Sequence, residues 1–105
     1  MRVLLDECVP LQVRHALPEQ VTTTQRMGWK GLGNGELLDA AERAGFGVFI
    51  VADKNLRYQQ NLSSRRIAIV ELWTNHRPTL EKHFPAIQAA VARIRAGEFL
   101  ILEEP

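Results

Sequence analysis

Three carboxylates lying far apart in the chain, Asp6, Glu36 and Asp53, stand where an α/β protein would gather its reactive groups. Asp6 ends the apolar run from Arg2 to Leu5, and Asp53 ends the run from Val48 to Ala52. Glu36 falls in the first turn of a helical segment leading into the strand that bears Asp53. Ligands of open parallel sheets sit beyond the carboxyl ends of the strands, so the three acids are expected to converge at one edge. Unit charges about 4 Å apart repel by roughly 4 kcal/mol at an effective dielectric near 20. Such a cluster calls for protons, basic partners or a bound cation. All-oxygen ligands suit Mg²⁺ or Mn²⁺ better than Zn²⁺, and Mg²⁺ typically keeps several waters while one or two carboxylates hold it. A metal-activated water can attack a phosphodiester while the metal stabilises charge on the phosphate and the leaving oxygen.

Each acid also has a plainer role. Asp53 can cap a helix from Lys54 to Gln60, and Glu36 is favoured in a first helical turn by the helix dipole. The chemistry therefore rests on the constellation and not on one residue. Glu7 and Asn55 are candidates for a supporting role around it, though Glu7, next to Asp6, points elsewhere and suits solvent or a salt bridge. Cys8 reads as a small buried hydrophobe. His15, His76 and His83 have no metal spacing with the acids and read as surface or loop residues. Lys54, Arg57, Arg65 and Arg66 lie in a stretch free of acids, suited to a nucleic-acid backbone or simply to a solvated loop. Tyr58 and Trp29 each have an aromatic face on which a base can stack; for Trp29, packing against the sheet edge is the stronger expectation.

The elements that must position these groups follow from local pattern. After the first strand, Pro10 opens a helix through about Leu17, ended by Pro18. Val21 to Thr24 are β-branched and form a second strand, followed by a helical turn near Gln25 to Met27. Gly28 to Gly35, with four glycines, is a loop, and Asn34 caps a helix from Gly35 to Ala44 that Gly45 stops. Val48 to Ala52 and Ile67 to Leu72 are apolar on both faces, as buried parallel strands are. A helix from Pro78 to Gly97 carries Leu80, Phe84, Ile87, Val91 and Ile94 on one stripe, and Phe99 to Leu102 form the last strand. The alternation predicts a three-layer α/β/α fold with a mostly parallel central sheet and right-handed crossovers.

With 105 residues, 46% hydrophobic and 24% charged, the chain makes one domain, 1–105, with one core. A net charge of +1 provides no global footprint for nucleic acid or membrane, so partners must be argued from local charge. The single cysteine excludes an internal disulfide and fits a reducing, cytoplasmic setting. The opening MRVLLDECVP is neither signal peptide nor membrane span.

The segments LLDECVP, NGELLDAA and VADKNL resemble the acidic motifs of PIN-like domains, particularly the short bacterial relatives of the VapC ribonuclease toxins. The resemblance runs from Met1 to about Leu72. It implies a metal-dependent endoribonuclease with Asp6, Glu36 and Asp53 as catalytic metal ligands and Mg²⁺ or Mn²⁺ as cofactor. RNA would be the substrate and a small antitoxin-like protein the partner of a toxin-antitoxin pair, with a homodimer expected by analogy. Asn55 stands where the family often has a second acid, and Val51 where it has a hydroxyl residue. The competing expectations are a non-catalytic PIN-like module that binds RNA or protein, and a receiver-like phosphoacceptor domain using Asp6, Glu7 and Asp53.

Overall fold

The computed structural model describes residues 2–52 and 64–105. Asp53, Lys54, Asn55, Arg57 and Tyr58, all singled out above, lie outside the described residues. Among the described residues, β1 (Arg2–Leu5) is followed by a 3-10 helix (Leu11–Ala16), β2 (Gln20–Thr23), α1 (Asn34–Arg43) and β3 (Phe46–Val51). Then come β4 (Ala68–Leu72), α2 (Arg77–Lys82), α3 (Phe84–Arg93) and β5 (Phe99–Leu102). The strands form one sheet in the order β2-β1-β3-β4-β5, and every pairing is parallel.

The apolar runs explain why the sheet is buried on both sides. Strand side chains alternate between faces, and here both alternating sets are apolar. Val3, Leu5, Val48, Ile50, Val70 and Leu72 point to one face, where Val13 of the 3-10 helix and Leu80, Ile87 and Val91 of α2 and α3 cover them. Leu4, Phe49, Val51 and Ile69 point to the other, under Leu37, Leu38 and Ala41 of α1. Each such side chain contributes about 1.5–3 kcal/mol on full burial. The result is the three-layer α/β/α arrangement expected from the alternation of elements. One position breaks the pattern: Glu71 in β4 is charged yet only 2% exposed.

Several boundaries differ from the sequence reading, each for a local reason. The segment after Pro10 winds as a 3-10 helix, not an α-helix. Helix α1 starts at Asn34 with Gly33 as its cap, since the Leu37 N–H donates to the Gly33 carbonyl at 2.9 Å. Gly45 ends it at φ 85°, a left-handed conformation that glycine adopts without steric cost, and β3 begins at once at Phe46. The long helix expected from Pro78 to Gly97 is two helices. Pro85 lacks an N–H and its ring collides with the carbonyl four residues back, so the helix breaks at His83 (φ −121°, ψ 22°). Pro85 then occupies the first turn of α3, where a missing N–H costs nothing. That helix ends at Arg93, with Ile94 already extended.

The crossovers do not all share one hand, as the sequence reading expected. The connections β1 to β2 and β4 to β5 both pass over the face covered by the 3-10 helix, α2 and α3, yet they step in opposite directions across a parallel sheet. They are therefore mirror-related in sense. The connection from β2 to β3 passes through α1 on the other face.

Candidate active site

At the carboxyl edge of the sheet the chain leaves β1 towards one face and β2 towards the other. Such divergence opens a crevice between neighbouring strand ends. A cavity of about 340 Å³ lies there. Asp6, Glu7 and Cys8 line it from the end of β1, Thr24 from the end of β2, and Ala52 from the end of β3. The glycine-rich loop supplies Trp29, Gly31 and Leu32, and α1 supplies Asn34 and Leu37.

Backbone hydrogen bonds fix the three strand ends against each other. The Asp6 N–H donates to the Ile50 carbonyl and the Thr24 N–H to the Leu5 carbonyl, both at 3.0 Å. The Trp29 N–H returns to the Thr24 carbonyl at 2.9 Å, so the loop closes over the crevice. Trp29 is anchored by an edge-to-face contact with Phe46, with ring centroids 5.9 Å apart, which bears out its packing role. Phe46 in turn lies under the Arg2 guanidinium, 4.1 Å from its ring centre.

Asp6 is half-buried, and its Oδ2 accepts a hydrogen bond from the Cys8 thiol at 2.8 Å. Burial, followed by that bond to Asp6, pushes the Cys8 thiol up to about 12. Cys8 is thus a protonated donor that orients a carboxylate, more than the inert hydrophobe its type suggested. Thr24 is 2% exposed, and among the described residues its Oγ1 has no hydrogen-bond partner. A buried hydroxyl without a partner costs roughly 1–3 kcal/mol, so a ligand that engaged it would recover that cost.

The sequence candidates separate. Asp6 and Glu7 line the crevice; Glu7 is exposed. Glu36 lies in the first turn of α1 near the same edge but is exposed and not part of the cavity wall. The reason is helical periodicity: Asn34, Leu37, Leu38 and Ala41 share one face, and Glu36 is turned away from it. Asn34 is therefore the polar group that α1 brings to the cavity, legible as the first member of that stripe. Ala52, one residue before Asp53 in the sequence, is in the wall.

Arg65 and Arg66 precede β4, and because the strands are parallel they stand at the amino edge, about 16–20 Å from the level of Asp6 at 3.3 Å per residue. Arg65 is bound to Asp39 and, at 2.9 Å, to Glu42 of α1, while the Arg66 N–H donates to Glu42 at 2.8 Å. These contacts join α1 to the start of β4 and consume the charge of Arg65. The Glu42 carboxyl is partly desolvated, but the Arg65 and Arg66 bonds hold it below its usual range.

No family model, curated protein or solved structure matches the chain. The site must be read from its own chemistry. Asp6, Thr24 and Asn34 all offer hard oxygen donors, the type that suits Mg²⁺ or Mn²⁺. Among the described residues, no three His, Cys, Asp or Glu side chains are grouped to hold a metal ion. Also among the described residues, no helix is long and apolar enough to cross a membrane.

Proposed function

We propose that the chain is a metal-dependent endoribonuclease of PIN-like type, acting through the crevice at the carboxyl ends of β1, β2 and β3. The observation that carries this is the pairing, in one cavity, of a carboxylate held by a thiol, Asp6, with a buried hydroxyl, Thr24, that has no partner among the described residues. The three acidic motifs support the same reading. Asp6, and by the resemblance Glu36 and Asp53, would hold Mg²⁺ or Mn²⁺, which supplies charge neutralisation at the phosphate and a more acidic water. Cys8 keeps one oxygen of Asp6 engaged and so orients the other. Trp29 and Leu32 wall the crevice and limit water there. Lys54 and Arg57 would contact the RNA backbone, and the charge of Arg65 is spent on α1. The reading extends to a cytoplasmic setting and to a small antitoxin-like protein or a second copy of the chain as partner.

The test is cleavage of an RNA pool with Mn²⁺ or Mg²⁺ by the wild-type chain and by Asp6→Asn. Cleavage that needs the metal and is lost in Asp6→Asn supports the proposal; undiminished cleavage by the variant refutes the mechanism. A stable complex with RNA or protein and no cleavage of any pool would instead favour the non-catalytic module.

A receiver-like phosphoacceptor has one observation in its favour, the strand order 2-1-3-4-5 that common doubly wound folds share. One feature weighs against it: the β4 to β5 connection lies on the same face as the β1 to β2 connection. Failure to take up phosphate from a small acyl-phosphate donor would remove this reading.

A further inference from the structure

The two edges of the sheet are unlike. At one edge β2 presents a mostly polar sequence, QVTT, whereas β5 at the other reads FLIL. A free apolar edge is a template for another strand, and natural sheets usually blunt it with charge, proline or a cover. Among the described residues no strand pairs with the outer side of β5, and its Ile101 is 39% exposed. The phase of the ladder is fixed by the Ile69 N–H, which donates to the Glu98 carbonyl at 2.9 Å. In a parallel pair, alternate residues bond to a given neighbour. With Ile69 opposite Phe99, Leu100 therefore bonds to β4, and Phe99 and Ile101 turn their N–H and C=O groups outward.

The chain on either side of β5 carries opposite charge. Arg93 and Arg95 precede the strand and Glu103 and Glu104 follow it, all exposed and none in an ion pair among the described residues. Glu98, between them, is turned to its own backbone: its carboxylate accepts from the Arg95 N–H at 2.6 Å. A cavity of about 220 Å³ opens beside the amino end of the strand, with Arg93, Arg95, Glu98 and Phe99 in its wall. A strand of the same sequence laid antiparallel along β5 brings its acidic end to these arginines.

We propose that β5 is the seam of a symmetric homodimer, in which two copies of the chain pair their β5 strands antiparallel and join their five-stranded sheets into one. A two-fold seam needs outward-facing residues opposite each other. Setting Phe99 of one copy opposite Ile101 of the other meets that condition at both of its symmetric positions, and each pair exchanges two backbone hydrogen bonds. Leu100 then meets its own counterpart at the two-fold axis. This register lays the Phe99 ring beside the exposed Ile101 on the face covered by α1, an aromatic and β-branched cross-strand pair. It also sets Glu103 and Glu104 opposite Gly97 and Ala96, next to Arg95, and Glu98 opposite Leu102, so no like charges meet. The seam gives a place to the second copy named in the reading above, and it holds whether or not the chain cleaves RNA.

The experiment is sedimentation velocity of the full chain over a concentration series, at low and at physiological salt, with thermal unfolding of each variant in dilute solution alongside. The wild type is expected to show a monomer–dimer equilibrium that salt weakens. Ile101→Lys puts a charge on the seam, and because the two-fold counts every pair twice it should weaken association about tenfold or more. Arg95→Glu and Glu104→Arg, at exposed positions, should each weaken it alone and serve if the lysine variant does not fold. An equimolar mixture of those two should recover the dimer, since the mixed pair has opposite charges at both ends of the seam. A wild type that stays monomeric throughout, or an Ile101→Lys dimer as tight as wild type, overturns the seam. A mixture no better than its components overturns the antiparallel register. RNA cleavage is scored separately: its absence refutes the nuclease reading and leaves the seam standing.

Discussion

Replacing Arg65 by alanine separates a structural role from a nucleic-acid role at this position. Its guanidinium joins Asp39 and Glu42 of α1 to the start of β4, and the side chains of Arg65 and Glu42 are only 16% and 18% exposed. A hydrogen bond between charged groups this far out of water contributes roughly 1.5–3 kcal/mol. Asp39 is 54% exposed, so its pair adds at most about 0.5 kcal/mol. Arg65→Ala should therefore cost about 2 kcal/mol at pH 7, a drop of about 10 °C in melting temperature for a domain of this size. The deficit should depend on pH. Glu42 has a lowered pKa in the fold, so its stabilisation is complete above the unfolded carboxylate value near 4.5 and is lost as pH falls through the lower folded value. Thermal unfolding of both proteins at pH 7 and pH 3 should show a gap that closes in acid. If RNA binds, the slope of log K against log salt should be unchanged in the variant. A melting temperature within 2 °C of wild type, together with a slope reduced by about one, would show that Arg65 serves RNA and not the fold.

Two further outcomes test the crevice. The Cys8 thiol, raised from 9.0 to about 12, should alkylate on the order of a thousand times more slowly at pH 8 than a free thiol, and Asp6→Asn should speed it; iodoacetamide kinetics read by mass spectrometry check both. The sign for stability follows: the neutral thiol is favoured in the fold, so its contribution is full below about pH 9 and declines as pH rises towards 12. Thr24→Val removes a buried hydroxyl that has no partner among the described residues and keeps the side-chain shape. It should raise stability by about 1 kcal/mol in chemical denaturation while weakening Mn²⁺ binding, and a loss of stability would mean that the hydroxyl is already satisfied.

The layers of this fold were legible because the strands are apolar on both faces and the helices on one, so period alone set the arrangement. The site was legible in part. Asp6 could be placed because a charge that ends an apolar run must leave the sheet at its edge. Glu36 attracted attention by its type, whereas the helical stripe shows that Asn34 is the residue aimed at the cavity. Arg65 read as a free cation because its partners, Asp39 and Glu42, lie more than twenty residues away. Thr24 was unmarked because a threonine at a strand end reads as filler until the register shows what stands beside it. The helix break was the plainest omission, since Pro85 carries its own signal inside the apolar stripe.

The strand order also describes how the sheet can be put together. With β1 first made and β2-β1-β3-β4-β5 the final order, each strand joins an edge already present: β2 on one side of β1, then β3, β4 and β5 in succession on the other. No strand has to be inserted between two that are already paired. A chain emerging from its amino end can thus extend one continuous sheet in the order of synthesis, and the crevice between β1, β2 and β3 can be complete before β4 or β5 exists.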